Sequence, residues 1–93
     1  MKEWTFISRH GLVLLYISKK PQCTTREIAN AINVTERTVH RVLLDLERGG
    51  YITRSRTGRG NIYRIDTGIG LKNGLTRDLA VGDFLGLLGG KEN

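Results

Sequence analysis

Arg37, Arg41 and Arg48 stand four and seven residues apart. At about 100° per helical residue, that spacing lines three guanidinium groups along one side of a single helix, with Leu44 among them. A guanidinium fork matches a phosphate oxygen pair or the O6 and N7 edge of guanine. The chemistry on offer is recognition of a polyanion. A second basic set follows at Arg54, Arg56, Arg59 and Arg64, in a polar stretch that carries Gly58 and Gly60. Across residues 37–64 these seven arginines meet only two acids, Asp45 and Glu47. The whole chain of 93 residues holds 15 Lys and Arg against 9 Asp and Glu, a net charge of +6. An evenly spread surplus would serve solubility alone. Concentration in one stretch is the electrostatic footprint of a nucleic-acid binder.

Other chemistries lack their parts. No nucleophile–base pair or carboxylate dyad is spelled out. The segment Gly58-Arg59-Gly60-Asn61 lies between two strand-like runs, whereas a phosphate-binding glycine loop leads from strand to helix. Cys23 is the single cysteine, which rules out an internal disulfide and makes a thiolate metal site unsuitable. His10 and His40 do not stand at ligand spacing with it. We therefore expect a non-enzyme with no metal and no cofactor. Nothing near Cys23 in the sequence lowers its pKa, so an inert thiol is expected instead of a redox sensor. The longest apolar run, Leu12 to Ile17, is too short to span a bilayer. The MKEW start lacks the pattern of a secretory leader. A reducing cytoplasm is the expected location.

The elements that must position the arginines are marked by local signals. Thr24 with Glu27 three residues on has capping-box spacing, and Ile28, Ala29 and Ile32 make a short apolar stripe. Asn33 tolerates the left-handed conformation, Val34 fits the angle between two helices, and Thr35 is the next cap. Val39, Val42, Leu43 and Leu46 then form an apolar face at helical period, opposite the arginines. Gly49-Gly50 stops that helix. Upstream, Ser8 caps a first helix running to about Lys20, closed by Pro21. Its apolar residues, Leu12 to Ile17, surround it and require burial on more than one side. His10 near its start reads as structural or surface. Downstream, Tyr51–Ser55 and Ile62–Ile65 read as strands joined by a polar loop at residues 56–61.

Helix, turn, helix and basic hairpin in this order resemble the winged helix-turn-helix fold, and most closely small bacterial and archaeal regulators of the MarR or ArsR type. The phrases that carry the likeness are REIANAINVTERTVHRVLLDLERGGYI and TRSRTGRGNIYRI, within a span from about Leu12 to Ile65. The fold class implied is α+β, mostly α: three helices and a two-stranded wing, followed here by a C-terminal helix. The resemblance also implies a short strand at Gln22 and Cys23 joining the hairpin. The function implied is binding of double-stranded DNA by a transcriptional regulator. Arg37 and Arg41 are then candidates for guanine edges, Thr38 for a thymine methyl or a phosphate, and Glu36 either for a cytosine amino group or for the positive end of its own helix. Thr24, Thr25 and Thr35, at helix starts, would hold backbone phosphates. Arg56 and Arg59 would reach the minor groove or its phosphates from the wing. Two alternatives remain open: a winged-helix module that binds protein, and a nucleic-acid binder without sequence preference.

Residues 1–66 are expected to form the DNA-binding domain, and 67–93 a glycine-rich linker and terminal helix starting at Thr76 or Asp78. Gly82 and Gly86 each cost that helix up to about 1 kcal/mol relative to alanine, so it needs a neighbour. Two neighbours are open, the chain's own first helix or a second copy. The expectation favours a homodimer, with Trp4, Leu79, Phe84, Leu85 and Leu88 as candidate interface residues. The Trp4, Phe6 and Ile7 segment is expected to pack on its own domain. No separate effector-sensing domain is expected.

Overall fold

A computed structural model of the chain describes residues 7–58, 60–70 and 80–89. Trp4, Phe6, Arg59, Leu79 and the helix starts expected at Thr76 or Asp78 lie outside the described residues. The elements are α1 (Arg9–Lys19), β1 (Gln22–Cys23), α2 (Thr25–Ile32), α3 (Glu36–Arg48), β2 (Ile52–Thr57), β3 (Gly60–Ile65) and α4 (Val81–Leu87). The sheet is antiparallel in the order β1-β3-β2.

Local signals set the helix boundaries. The Ser8 hydroxyl accepts from the Gly11 N–H at 3.2 Å and starts α1. The Thr24 hydroxyl accepts from the Glu27 N–H at 3.1 Å, and Glu27 accepts the Thr24 N–H at 2.8 Å. This closed box satisfies two donors that the first turn of α2 leaves free. Asn33 ends α2 in the left-handed region, φ 61°. Val34 packs against the core in the turn. Thr35 then caps α3 through the Thr38 N–H at 3.1 Å.

One core joins all four helices to the sheet. Val13 and Ile17 of α1, Ile28 of α2, Val39 and Leu43 of α3, Ile52 and Tyr63 of the sheet and Val81 and Leu85 of α4 are all buried in it. Inward positions alternate along the hairpin: Ile52 pairs with Ile65 and Arg54 with Tyr63, while Arg56 pairs with Asn61 nearer the tip. The face turned toward α3 is thus apolar at the base and polar at the end. β3 crosses β1 at Gly60, where an added Cβ would fall 2.8 Å from the Cys23 carbonyl oxygen.

Two boundaries differ from expectation, at the hairpin and at α4. The strands continue through Thr57 and Gly60, which pair, so Arg56, Thr57, Gly60 and Asn61 of the six-residue loop expected at 56–61 belong to the strands. Continued pairing satisfies backbone groups that an open loop would leave to water. The end of α3 falls at Gly49-Gly50 as expected, with Gly49 the cap at φ −78° and Gly50 taking the positive φ, +82°. Helix α4 begins at Val81, and residues 67–70 are not a free linker. Thr67 and Ile69 accept the Gly82 and Val81 N–H groups at 2.9 and 2.8 Å, and Gly70 bridges Ala80.

The terminal helix packs in cis. Phe84 lies over Gly11 of α1, its ring 3.4 Å from where a Cβ would stand. Leu85, expected at a subunit interface, is fully buried in the chain's own core, because α1 presents apolar surface on that side. Phe84 and Leu88 are half-buried, whereas Leu87 is 86% exposed. Leu85→Ala should therefore lower unfolding free energy by about 2–5 kcal/mol, read from urea denaturation. Leu87→Ala should stay within about 0.5 kcal/mol of the parent. Equal, small effects from both would mean that α4 does not complete the core.

Candidate nucleic-acid interface

Four inward side chains orient α3. Val39, Val42, Leu43 and Leu46 are buried, and helical period turns Arg37, Arg41, Leu44 and Arg48 to the opposite side, where all four are exposed. Leu44, at 41% exposure, is an apolar spot between cations. Thr38 lies half-buried at the flank, where its hydroxyl takes that of Thr35 at 3.1 Å.

The starts of α2 and α3 are tied together. The Thr25 hydroxyl donates to Glu36 Oε2 at 3.3 Å, and Arg26 Nε lies 3.9 Å from Glu36 Oε1. Of the two roles expected for the Glu36 carboxylate, it sits in the first turn of its own helix, where a negative charge is favoured, and it is turned toward α2. Thr24 and Thr35 are engaged as caps, as expected. The lone pairs that remain on these hydroxyls and the N–H groups beside them leave both helix starts suited to an anion.

The wing stands beside α3, and sequence reading missed what joins them. Arg54 Nη2 meets Glu47 Oε1 at 3.1 Å, both side chains largely covered. The Arg54 guanidinium lies near the Tyr63 hydroxyl, and Asn61 Nδ2 donates to that hydroxyl at 3.1 Å. Burial raises the Tyr63 pKa, and the Asn61 hydrogen bond and the nearby Arg54 guanidinium offset part of the rise. The phenol stays protonated at neutral pH. Between α3 and the wing lies a crevice of about 390 Å³ lined by His40, Glu47, Arg54, Arg56 and Asn61. Of the two wing-tip arginines expected to act together, Arg56 lines this crevice and Arg59 lies outside the described residues. On another flank of α3, His10 Nε2 meets Asp45 Oδ2 at 2.8 Å, so His10 links α1 to α3. The sequence reading has Arg54 in a strand but Arg56 and Asn61 in a polar loop, so it misses that continued pairing of β2 and β3 puts all three on one face, opposite His40 and Glu47.

Residues 9–53 match a family described as winged helix-turn-helix DNA-binding. The chain is folded as a winged helix-turn-helix. The match covers just under half of the chain, from α1 into β2, and supports DNA binding as the general activity of this segment. Two curated relatives, the riboflavin kinases of Thermoplasma acidophilum and Thermoplasma volcanium, are each 35% identical over 48 residues. Those residues are 52% of this chain and 22% of each kinase. The chain thus spans about a fifth of the length of these relatives. Among the described residues no group of His, Cys, Asp and Glu could hold a metal ion, and no helix is long and apolar enough to cross a membrane.

Cys23 does not join the interface chemically. Burial, reinforced by the Glu27 charge and opposed by Lys20, pushes its thiol up to about 11. A raised thiol pKa leaves little thiolate at neutral pH, and the thiolate is the reactive form. Alkylation by iodoacetamide at pH 7.5 should be at least a hundredfold slower than for a free thiol and should become fast in denaturant. Rapid labelling of the folded protein would refute this account of an inert thiol.

Proposed function

We propose that the protein is a transcriptional regulator, of the kind exemplified by MarR or ArsR proteins, that binds double-stranded DNA in a sequence-specific way. The observation that carries the reading is the line of exposed arginines, Arg37, Arg41 and Arg48, on α3 directly opposite its buried face. The N-terminal half of α3 enters the major groove. Arg37 and Arg41 read guanine edges through paired hydrogen bonds, and Thr38 reaches a thymine methyl or a phosphate. The starts of α2 and α3, with Thr24, Thr25 and Thr35, seat the DNA backbone. Glu36 holds the two helix starts together or accepts from cytosine. Arg56 and Arg59 carry the wing's contact with the adjacent strand.

The regulator acts as a homodimer in this reading, with two copies of α3 about 34–36 Å apart on a pseudo-palindrome. Leu85 is occupied within its own chain, so pairing falls to Leu87, Leu88 and Phe84 on the outer side of α4, together with Trp4 and Leu79. The exposure of Leu87 supports that assignment. The likeness to a fifth of two riboflavin kinases is compatible with a DNA-binding unit that also occurs inside longer chains. Kinase activity is stated of those two proteins, of which the matched residues make up 22%.

Selection from a random duplex pool at about 150 mM salt, a Debye length near 8 Å, should enrich an inverted repeat. Tight binding without enrichment would replace this reading with a sequence-blind binder, and no binding with a protein-interaction module. Arg37→Ala or Arg41→Ala should cost about 1–3 kcal/mol on the selected site and relax its sequence preference. Arg56→Ala should keep the preference and lower the salt slope by about 0.9. Leu87→Glu should convert a dimeric solution mass into a monomeric one, and a wild-type monomer at the concentrations that occupy DNA would eliminate the pairing.

A further inference from the structure

The crevice between α3 and the wing is built for a ligand that the arginine line does not account for. Among the described residues, three of its five lining side chains, Arg56, Asn61 and His40, have no partner that exhausts their hydrogen-bonding capacity. Asn61 gives one amide hydrogen to Tyr63, and a primary amide has two. Arg56 carries five donors and lies exposed. The imidazole of His40 is also exposed. The single carboxylate, Glu47, is neutralised by Arg54 at 3.1 Å. A cleft whose donors are open and whose acid is already paired suits an oxyanion. Its walls come from the two elements that straddle one DNA strand in the proposed docking, the groove helix and the wing.

We infer that this crevice seats one backbone phosphate diester of the bound duplex, held by Arg56 and Asn61 from the wing and by His40 from α3. The Glu47–Arg54 pair acts as a strut that holds the two walls at the spacing of that phosphate, and Tyr63, bonded to Asn61 and near Arg54, supports both from below. Arg54 is thus a positioning residue and not a DNA contact. The inference rests on the DNA-binding reading and adds His40 and Asn61 to the contact set. It assigns them to the phosphate, so they hold register without reading bases.

The test uses the full chain and the duplex recovered by selection. His40→Ala and Asn61→Ala should each weaken binding about tenfold to a hundredfold, the effect of losing a hydrogen bond to a charged group. Asn61→Ala removes no charge, so its salt slope should equal that of the wild type. Asn61→Asp places a carboxylate against the phosphate and should weaken binding further than Asn61→Ala. A set of duplexes, each with one phosphate replaced by a neutral methylphosphonate, locates the seat. One position should weaken wild-type binding about tenfold and have little further effect in Asn61→Ala. Unfolding in urea verifies that each variant is folded.

The proposal is overturned if the folded variants bind the duplex like the wild type, which leaves the DNA-binding reading intact. It is also overturned if their losses depend on base sequence and on no single phosphate, which would make His40 and Asn61 base readers. Titration with inorganic phosphate, followed by the Asn61 side-chain amide in NMR spectra, covers a free anion as the occupant. Saturation there, with no sensitive position in the duplex, would reassign the seat away from DNA. Failure of the wild type to bind any duplex removes both readings together.

Discussion

Helix α3 has one rotational setting, and the remainder of the interface depends on it. Val39, Val42, Leu43 and Leu46 occupy a single face, and all are buried. Rotating the helix by one residue would bring charged neighbours into the core and release these four to water. Each fully buried aliphatic side chain stabilises by about 1.5–3 kcal/mol, so the penalty is several times the energy of any exposed contact. The arginines are held outward by that penalty. None needs a partner of its own to be presented, and Arg37 and Arg41 remain available to a ligand because the opposite side of their helix is committed.

Rotation alone does not fix where the wing stands. The hairpin is anchored at its base by Ile52, Tyr63 and Ile65 in the core and on its edge by β1, where the Tyr63 N–H reaches the Pro21 carbonyl at 2.8 Å. Farther out the inward positions become polar, and the apolar seal gives way to the Glu47–Arg54 pair. An ion pair between freely exposed side chains contributes little. This one is largely covered and has the Tyr63 hydroxyl near Arg54, so its geometry is constrained on two sides. The distance from α3 to the wing is consequently set by a polar contact at the point where the crevice opens.

The parts legible in the sequence are those determined within one turn of chain. Thr24 with Glu27, Asn33 and Thr35 signal helix ends through atoms three or fewer residues apart, and each behaves as its spacing predicts. The apolar face of α3 is likewise local, because periodicity alone reveals it. Contacts between distant elements left no such mark. His10 with Asp45 spans 35 residues, and neither residue is unusual in its own neighbourhood. Glu47 and Arg54 are seven residues apart, on two elements, and nothing local marks them as a pair. Arg56 reads as a loop residue because the pairing that extends β2 to Thr57 depends on β3. Leu85 was apolar and in need of cover, and sequence reading left the source of that cover open between two partners.

The glycines of α4 show why that choice was difficult. Gly82 reads as a defect in a helix, since glycine lowers helix stability. In the structure it is buried, its N–H bonds the Thr67 carbonyl, and an added Cβ would stand 3.1 Å from that oxygen. Gly11 has the matching position on α1, where a Cβ would approach Ile7 Cγ2 to 2.7 Å beneath the Phe84 ring. The missing side chains let α4 descend onto residues 67–69 and α1, and Val81 and Leu85 become fully buried as a result. Intrinsic propensity and tertiary contact thus oppose each other at Gly82. Burial of two aliphatic side chains outweighs a helix penalty of about 1 kcal/mol. Helix α4 lies outside the segment shared with other winged helices, yet it shares their core. The apolar surface of α1 that it covers is therefore satisfied within one chain, and among the described residues of α4 the apolar side chain left most open to anything else is Leu87.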